Sequence, residues 1–212
     1  RVIVLTGSGS AFSSGGNIEK MLNREGMFSG STESIADEYV LGIQKLIASI
    51  FRSRKVTIAA INGHAIGAGL DLALACDLRL ASRDAKLGAT FLNLGLIPGD
   101  GGSWLLPRSV GWQKASELIF TGRIISAEEA LEIGMLLSIH DSSELLAQAF
   151  GLANAIVGKP KLALTYAKEL LRMNSSELET TMSKAALMQA VLHATDEHRQ
   201  LLSKFFEERS PK

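Results

Sequence analysis

The chain has 212 residues, 22 basic and 22 acidic side chains, no formal net charge, and 46% hydrophobic against 21% charged residues. That is an ordinary globular composition, long enough for one substantial core, and its charge balance leaves no footprint for nucleic acid. A single cysteine, Cys76, excludes an internal disulfide framework and a thiolate metal cluster. It lies in A-L-A-C-D with no adjacent base to lower its pKa, so it reads as a buried structural thiol in a reducing compartment, and a cytoplasmic location is expected.

No membrane span is expected, because the most apolar region, 56–76, is interrupted by Asn62, His64, Asp71 and glycines. The chain opens directly on a strand over 2–6, without an initiator Met; a true N-terminus further upstream is expected, and any targeting segment with it. A loop follows through Gly16, and Asn17 is placed to cap a short helix to Met21. Residues 23–31 are polar and read as a mobile loop. Over 32–54 the spacing of Ile35, Tyr39, Ile43, Leu46, Ile47 and Ile50 predicts one helix with a single apolar stripe. Strands are predicted over 56–61 and 78–81, with a helix over 67–75 between them and an extended piece at 86–88. Strands alternating with helices argue for an α/β core with parallel pairing. Helices are then predicted over 102–106, ended by Pro107, and over 111–121. Ser126 to Glu129 forms a capping box for another, and 135–139 reads as a short strand. Beyond residue 140 the chain turns glycine-poor and helical, with segments over 143–157, 161–173, 176–194 and 195–209. This divides it into a core at 1–140 and a helical region at 141–212.

Three glycine-rich turns carry the chemistry. Ala11 to Gly16 (A-F-S-S-G-G) would let a ligand approach the backbone, though short glycine pairs are also common loop punctuation. In Gly67 to Asp71 (G-A-G-L-D) the first N–H groups of a helix lack intrahelical acceptors and favour a developing oxyanion. Asp71 lies about one turn along on the same side, where an acid is equally welcome as a first-turn residue. Ile97 to Gly102 (I-P-G-D-G-G) leaves Asp100 on a tight loop, either aimed at a ligand or bonding its own backbone. Among other polar residues, His64 reads as a loop histidine. His193 and His198 have no metal partners at ligand spacing, so no metal is expected. Trp104 and Trp112 read as packing residues.

In order and spacing these turns resemble the enoyl-CoA hydratase/isomerase (crotonase) superfamily. Phe12 to Met21 matches its F-x-x-G-G-N/D-I-x-x-M segment, Ala60 to Asp77 its oxyanion turn, helix and C-D ending, and Gly95 to Arg108 its G-x-x-P-G-x-G-G-x-x-x-L-P-R segment. Ala115 to Gly122 (A-S-E-L-I-F-T-G), Ala127, Ala130 and Gly134 extend the likeness to nearly the whole chain. The resemblance implies an α/β fold, a crotonase-like ββα spiral core with a C-terminal helical trimerisation region, assembling as a homotrimer or dimer of trimers. The strands usual in the family before the one at Arg1 are absent from the chain.

It also implies an acyl-CoA thioester as substrate, with no cofactor beyond the coenzyme A it carries. Gly16 and Ala68 N–H groups would form the oxyanion hole, Asp71 would match the first hydratase acid, and Asp100 falls one residue beyond an alternative acid position. Ser13, Ser14, Gly15, Ile18, Phe91 and Gly99 would border the substrate, and Lys204 with Phe205 and Phe206 lie on a helix that often borders the coenzyme. The second hydratase acid falls at Phe91, and a phenyl ring cannot move a proton. The pattern therefore leans toward an isomerase or another enolate reaction with Asp71 as acid/base. The alternative is a non-catalytic acyl-CoA binding or assembly subunit.

Overall fold

The computed structural model describes residues 1–172 and 176–208. In chain order the first part holds β1 (Val2–Thr6), β2 (Ala11–Ser13), α1 (Ile18–Asn23), a 3-10 turn at Gly26–Phe28, α2 (Thr32–Tyr39), a π turn at Val40–Gln44, α3 (Lys45–Phe51), β3 (Val56–Ile61), β4 (His64–Ile66) and α4 (Ala68–Ala75). There follow β5 (Leu78–Ser82), β6 (Lys86–Gly88), a 3-10 turn at Thr90–Leu94, α5 (Gly102–Val110), α6 (Trp112–Thr121), β7 (Ile124–Ser126), α7 (Ala127–Glu132) and β8 (Ser138–His140). The chain then runs through α8 (Leu145–Val157), α9 (Lys161–Leu171), α10 (Ser176–His193) and α11 (Asp196–Glu207). The helical ends anticipated at Met173 and Arg209 lie outside the described residues.

Two sheets are wound together. One is wholly parallel, in the order β1-β3-β5-β8, and the other runs β2-β4-β6-β7 with only β7 antiparallel. Each of β1, β3 and β5 is followed by a short strand of the second sheet and then by helical structure, which is the ββα spiral. β3 is buried from Thr57 to Ile61, as a central parallel strand covered on both faces should be. Its alternate residues serve different layers. Ala59 and Ile61 face the main core around α4, whereas Ile58 and Ala60 meet Leu145, Ala149 and Ala153 of α8.

Several local expectations need correction. β2, β4 and β7 have only three residues each, too few for an alternating pattern to declare itself; His64 therefore sits exposed on a strand rather than in a loop. The helix over 32–51 is interrupted by its π turn. The extra residue rotates the helix beyond it, so Gln44 and Ile47 take buried positions and Leu46 is about half exposed. The segment over 23–31 contains the 3-10 turn, whose Phe28 is buried with Ile35 and Tyr39 against Ala186 and Ala190 of α10. α5 continues past Pro107 to Val110. The proline deletes one intrahelical bond, and the carbonyl it frees belongs to exposed Ser103. Met135 and Leu136 are core residues ahead of β8 rather than part of it. Trp104 packs edge-on against Phe51, but Trp112 is exposed.

Helix starts follow the sequence closely. Asn17, Ser126 and Thr195 each accept the expected backbone N–H, from Lys20, Glu129 and His198. Glu129 does not reach back to complete its box, because its carboxylate is held by Arg123. Burial raises the Cys76 thiol to about 11, consistent with an inert core residue.

Candidate active site

A cavity of about 250 Å3 lies where the three glycine turns meet. One wall is Ser13 to Gly16 with Ile18 and Met21 of α1; the facing wall is Ile66, Gly67, Ala68 and Leu72. Thr90, Phe91, Leu94, Leu96 and Asp100 form the floor, and Met27, Phe28, Tyr39, Ile43, Leu46 and Gln189 close the apolar end. The pairing of β2 with β4, Ala11 opposite His64 and Ser13 opposite Ala65, carries the first loop to the start of α4. Contact there is close: a Cβ on Gly69 would lie 2.2 Å from the Ser13 carbonyl oxygen.

Gly67 has φ +55°, in the left-handed region that glycine tolerates, and from it the chain turns into α4. The first N–H groups of α4 have no acceptor within the helix, and the Gly15 backbone approaches that of Ala68. The Phe91 ring lies in van der Waals range of where a Gly67 side chain would begin. Gly16, Ala68, Ser13, Ser14, Gly15, Ile18, Phe91 and Asp100 thus share one cavity.

Two anticipated residues stand elsewhere. Gly99 is not a wall residue; its carbonyl accepts from Gln44 Nε2 at 2.9 Å. Asp71 is fully buried but does not line the cavity, and its Oδ2 accepts the Gly102 N–H at 3.0 Å. The helix explains this. Leu72, four residues past Ala68, reaches the cavity, while Asp71, three residues past it, lies on the opposite flank of the same helical face and turns toward α5. A Cβ at position 102 would sit 2.1 Å from Asp71 Oδ1, so this approach requires glycine.

The two carboxyls are electrostatically unusual. Asp100 is buried, its Oδ1 has no partner among the described residues, and burial pushes its pKa up to about 7. Asp71 is raised well above the ordinary carboxylate range, first by burial and then by the charge of Asp100, against the opposing Gly102 N–H. The two therefore do not both ionise near neutral pH. Among the described residues no group of three His, Cys, Asp or Glu side chains is placed to hold a metal. No helix among them is long and apolar enough to cross a membrane.

The sequence pattern of the enoyl-CoA hydratase/isomerase family matches residues 1–212. The chain belongs to this family. A probable enoyl-CoA hydratase of Bacillus subtilis is 36% identical over 213 residues, spanning 100% of this chain and 80% of that protein. Crotonyl-CoA hydratase of Syntrophomonas wolfei is 33% identical over 210 residues, 98% of this chain and 78% of its own. The crystal structure of an enoyl-CoA hydratase from Bacillus halodurans has a TM-score of 0.87 at 29% identity, over 96% of this chain and 81% of that one.

A larger cleft of about 610 Å3 opens elsewhere, between α4, α5 and α9 beside Asp77. It offers no free carboxyl: Asp77 is held by Lys168 and Arg172, each at 2.6 Å. Lys204 is exposed and 3.8 Å from Glu208, and it is not a wall of the smaller cavity. Sequence reasoning missed three polar wall residues, Tyr39, Thr90 and Gln189. Tyr39 looked like one more member of an apolar stripe, and nothing near Gln189 in sequence signals a role.

Proposed function

We propose that the chain is an acyl-CoA enzyme that stabilises a thioester enolate and moves a proton along the acyl chain. The N–H groups of Gly16 and Ala68 hold the thioester oxygen, where negative charge develops. Asp100 carries the proton: its carboxylate takes it from the α carbon, the electron pair moves onto the thioester oxygen, and the carboxylic acid returns it to the γ carbon as the double bond shifts. The observation that carries this reading is Asp100 itself, lining the cavity with an unpaired oxygen and a pKa of about 7. A group poised there both gives and takes a proton at neutral pH.

Asp71, which the family pattern nominates as acid/base, is assigned a positioning role. It anchors the start of α5 immediately after Asp100, and its raised pKa keeps a second charge out of the site. Phe91 stands where a water-activating acid would be needed, so double-bond migration is favoured over hydration. The exposed row Leu162, Tyr166 and Leu170 on α9 is a face of the kind that a homotrimer would cover.

The test is turnover of 3-enoyl and 2-enoyl thioesters by wild type, Asp100→Asn and Asp71→Asn. Asp100→Asn should lose about 10²–10⁴-fold in kcat while still binding the thioester, and Asp71→Asn should lose less. The reverse order would return the proton to Asp71. Tight binding without conversion of any thioester by wild type would favour a non-catalytic binding subunit.

A further inference from the structure

The loop that carries Asp100 does not hold itself in place. Pro98 has no N–H, and the Gly99 N–H is spent inside the loop on the Ile97 carbonyl at 2.7 Å. The Pro98 carbonyl accepts from the Ser103 N–H at 3.3 Å. That leaves the Ile97 N–H and the Gly99 carbonyl, which have no backbone partner among the described residues. Buried backbone groups of this kind need partners from elsewhere, and two buried glutamines supply them.

Gln44 Nε2 donates to the Gly99 carbonyl at 2.9 Å and to the Met182 carbonyl of α10 at 2.7 Å. Gln189, also on α10, accepts the Ile97 N–H on Oε1 at 3.1 Å. Carbonyls only accept and a backbone N–H only donates, so both amides have a single possible orientation. The π turn before α3 is what brings Gln44 inward. Gln189 is itself held. Its Nε2 donates to the Tyr39 hydroxyl at 3.3 Å, the hydroxyl is 2.8 Å from His193 Nε2, and His193 Nδ1 is 3.0 Å from His198 Nε2. His198 Nδ1 contacts the Leu94 carbonyl oxygen. Met182 and Gln189 are two turns apart on one face of α10, and the loop lies against that face. A Cβ on Gly99 would sit 3.4 Å from the Gln189 amide and 3.6 Å from the Ala185 carbonyl.

Asp100 therefore lies between fixed neighbours. Gln44 grips the residue before it, and Asp71 accepts the N–H of Gly102 beyond it. Gln44 spends both N–H groups on carbonyls, so it fixes the loop without donating to the Asp100 carboxyl, whose Oδ1 stays unpartnered at the cavity wall. We propose that Gln44 and Gln189 are positioning residues for the proton transfer: by clamping Gly99 and Ile97 to α10 they hold the Asp100 carboxyl against the cavity and away from solvent. The inference rests on Asp100 as the proton carrier and adds what keeps it in place.

Isomerisation of 3-hexenoyl-CoA by Gln44→Met tests it. Met keeps the volume and loses both donors. Turnover per folded molecule should fall about 10-fold, a misplaced reacting group being costly. KM should stay within about twofold, because Gln44 is not a wall of the cavity. In wild type kcat/KM should rise through about pH 7 as Asp100 ionises. In the variant water reaches the loosened loop, and that rise should move to lower pH. Asp71 of α4 and Tyr39 of α2, the ionisable groups coupled to Asp100, are untouched by the substitution. Gln189→Met removes the acceptor of the Ile97 N–H and should lower kcat and shift the profile in the same direction, which keeps the test open if Gln44→Met does not fold. A lowered melting temperature alone, with kcat per folded molecule unchanged or the pH profile unmoved, would make the glutamines fold contacts only and overturn the proposal. Full turnover by Asp100→Asn would instead remove the reading on which it rests.

Discussion

Asp77, partly buried in the turn before β5, and Asp100, buried in the loop before α5, have opposite surroundings. Asp77 accepts from the Thr57 N–H at 2.7 Å, from Thr57 Oγ1 at 3.0 Å, and from Lys168 and Arg172 at 2.6 Å each. Those bonds tie β3 and the turn before β5 to α9. Among the described residues Asp100 has no ion-pair partner, one oxygen is unpaired, and a second buried carboxyl is its electrostatic neighbour. A carboxylate saturated by counter-charges stabilises a fold and has nothing left for chemistry. One left unsaturated costs stability and keeps a titratable proton, which is the arrangement expected where activity opposes stability.

The contrast is broken most severely at Asp77. Asp77→Asn leaves Lys168 and Arg172 close together without a counter-charge, while the Arg172 guanidinium still lies 4.3 Å from the centre of the Phe51 ring. Removing one partner of a buried ion pair costs about 3–5 kcal/mol. Denaturant unfolding should show that loss, and turnover per folded molecule should be little altered. A loss below about 1 kcal/mol would mean that solvent reaches the cluster and that it does not anchor α9.

Asp100→Asn should act in the opposite direction. Between about pH 4 and 7 the native protein holds a proton that the unfolded chain has released, so wild-type stability falls as pH rises through that window. Asn carries no charge at any pH. The variant should therefore gain on wild type from pH 4 upward, reaching a difference of about 4 kcal/mol at pH 8 and little below pH 4. Thermal melts across that range measure it. A gap independent of pH would show that Asp100 does not titrate with a raised pKa.

These two sites differed in how far sequence could reveal them. The long strands β1 and β3, the glycine entry to α4 and the caps at Asn17, Ser126 and Thr195 are local features, and local pattern was enough. The family resemblance implied that Gly16, Ala68 and Phe91 border one site, whereas the glycine turn around Asp100 did not say whether its side chain faces that cavity. The side of α4 on which Asp71 falls was not legible, because three and four residues from Ala68 lie on opposite flanks of the same helical face. The π turn after Tyr39 leaves no periodic mark and exchanges Leu46 for Gln44 in the interior. The path from Gln189 through Tyr39 and His193 to His198 joins residues about 150 positions apart, and only folding assembles it. Asp77 showed in sequence only as part of a family motif, since Lys168 and Arg172 arrive from the other end of the chain.

Two finer substitutions probe how each carboxyl is held. Gly102→Ala drives a Cβ into Asp71, and the displacement should cost about 2 kcal/mol, of the order of overpacking a core. Because Asp71 anchors the start of α5 beside Asp100, kcat should fall as well, measurable at saturating thioester. Retained stability would mean that Asp71 swings aside freely and holds nothing.

The smallest effect is expected at Thr57. Thr57→Val removes the hydroxyl that donates to Asp77 Oδ2 and accepts from the Asp77 N–H, each at 3.0 Å. The Asp77 N–H retains the Thr57 carbonyl at 3.0 Å, and Lys168 and Arg172 remain in place, so no buried charge is stranded. The cost should be that of one hydrogen bond to a charged group, about 1.5 kcal/mol, in a side chain of nearly unchanged shape. Combined with Asp77→Asn it should cost less than the sum of the two singles, since both act on one cluster; combined with Asp100→Asn the effects should add, because those sites share no partner. Additivity in the first pair would separate Thr57 from the Asp77 cluster, and coupling in the second would join the two carboxyls that the structure keeps apart.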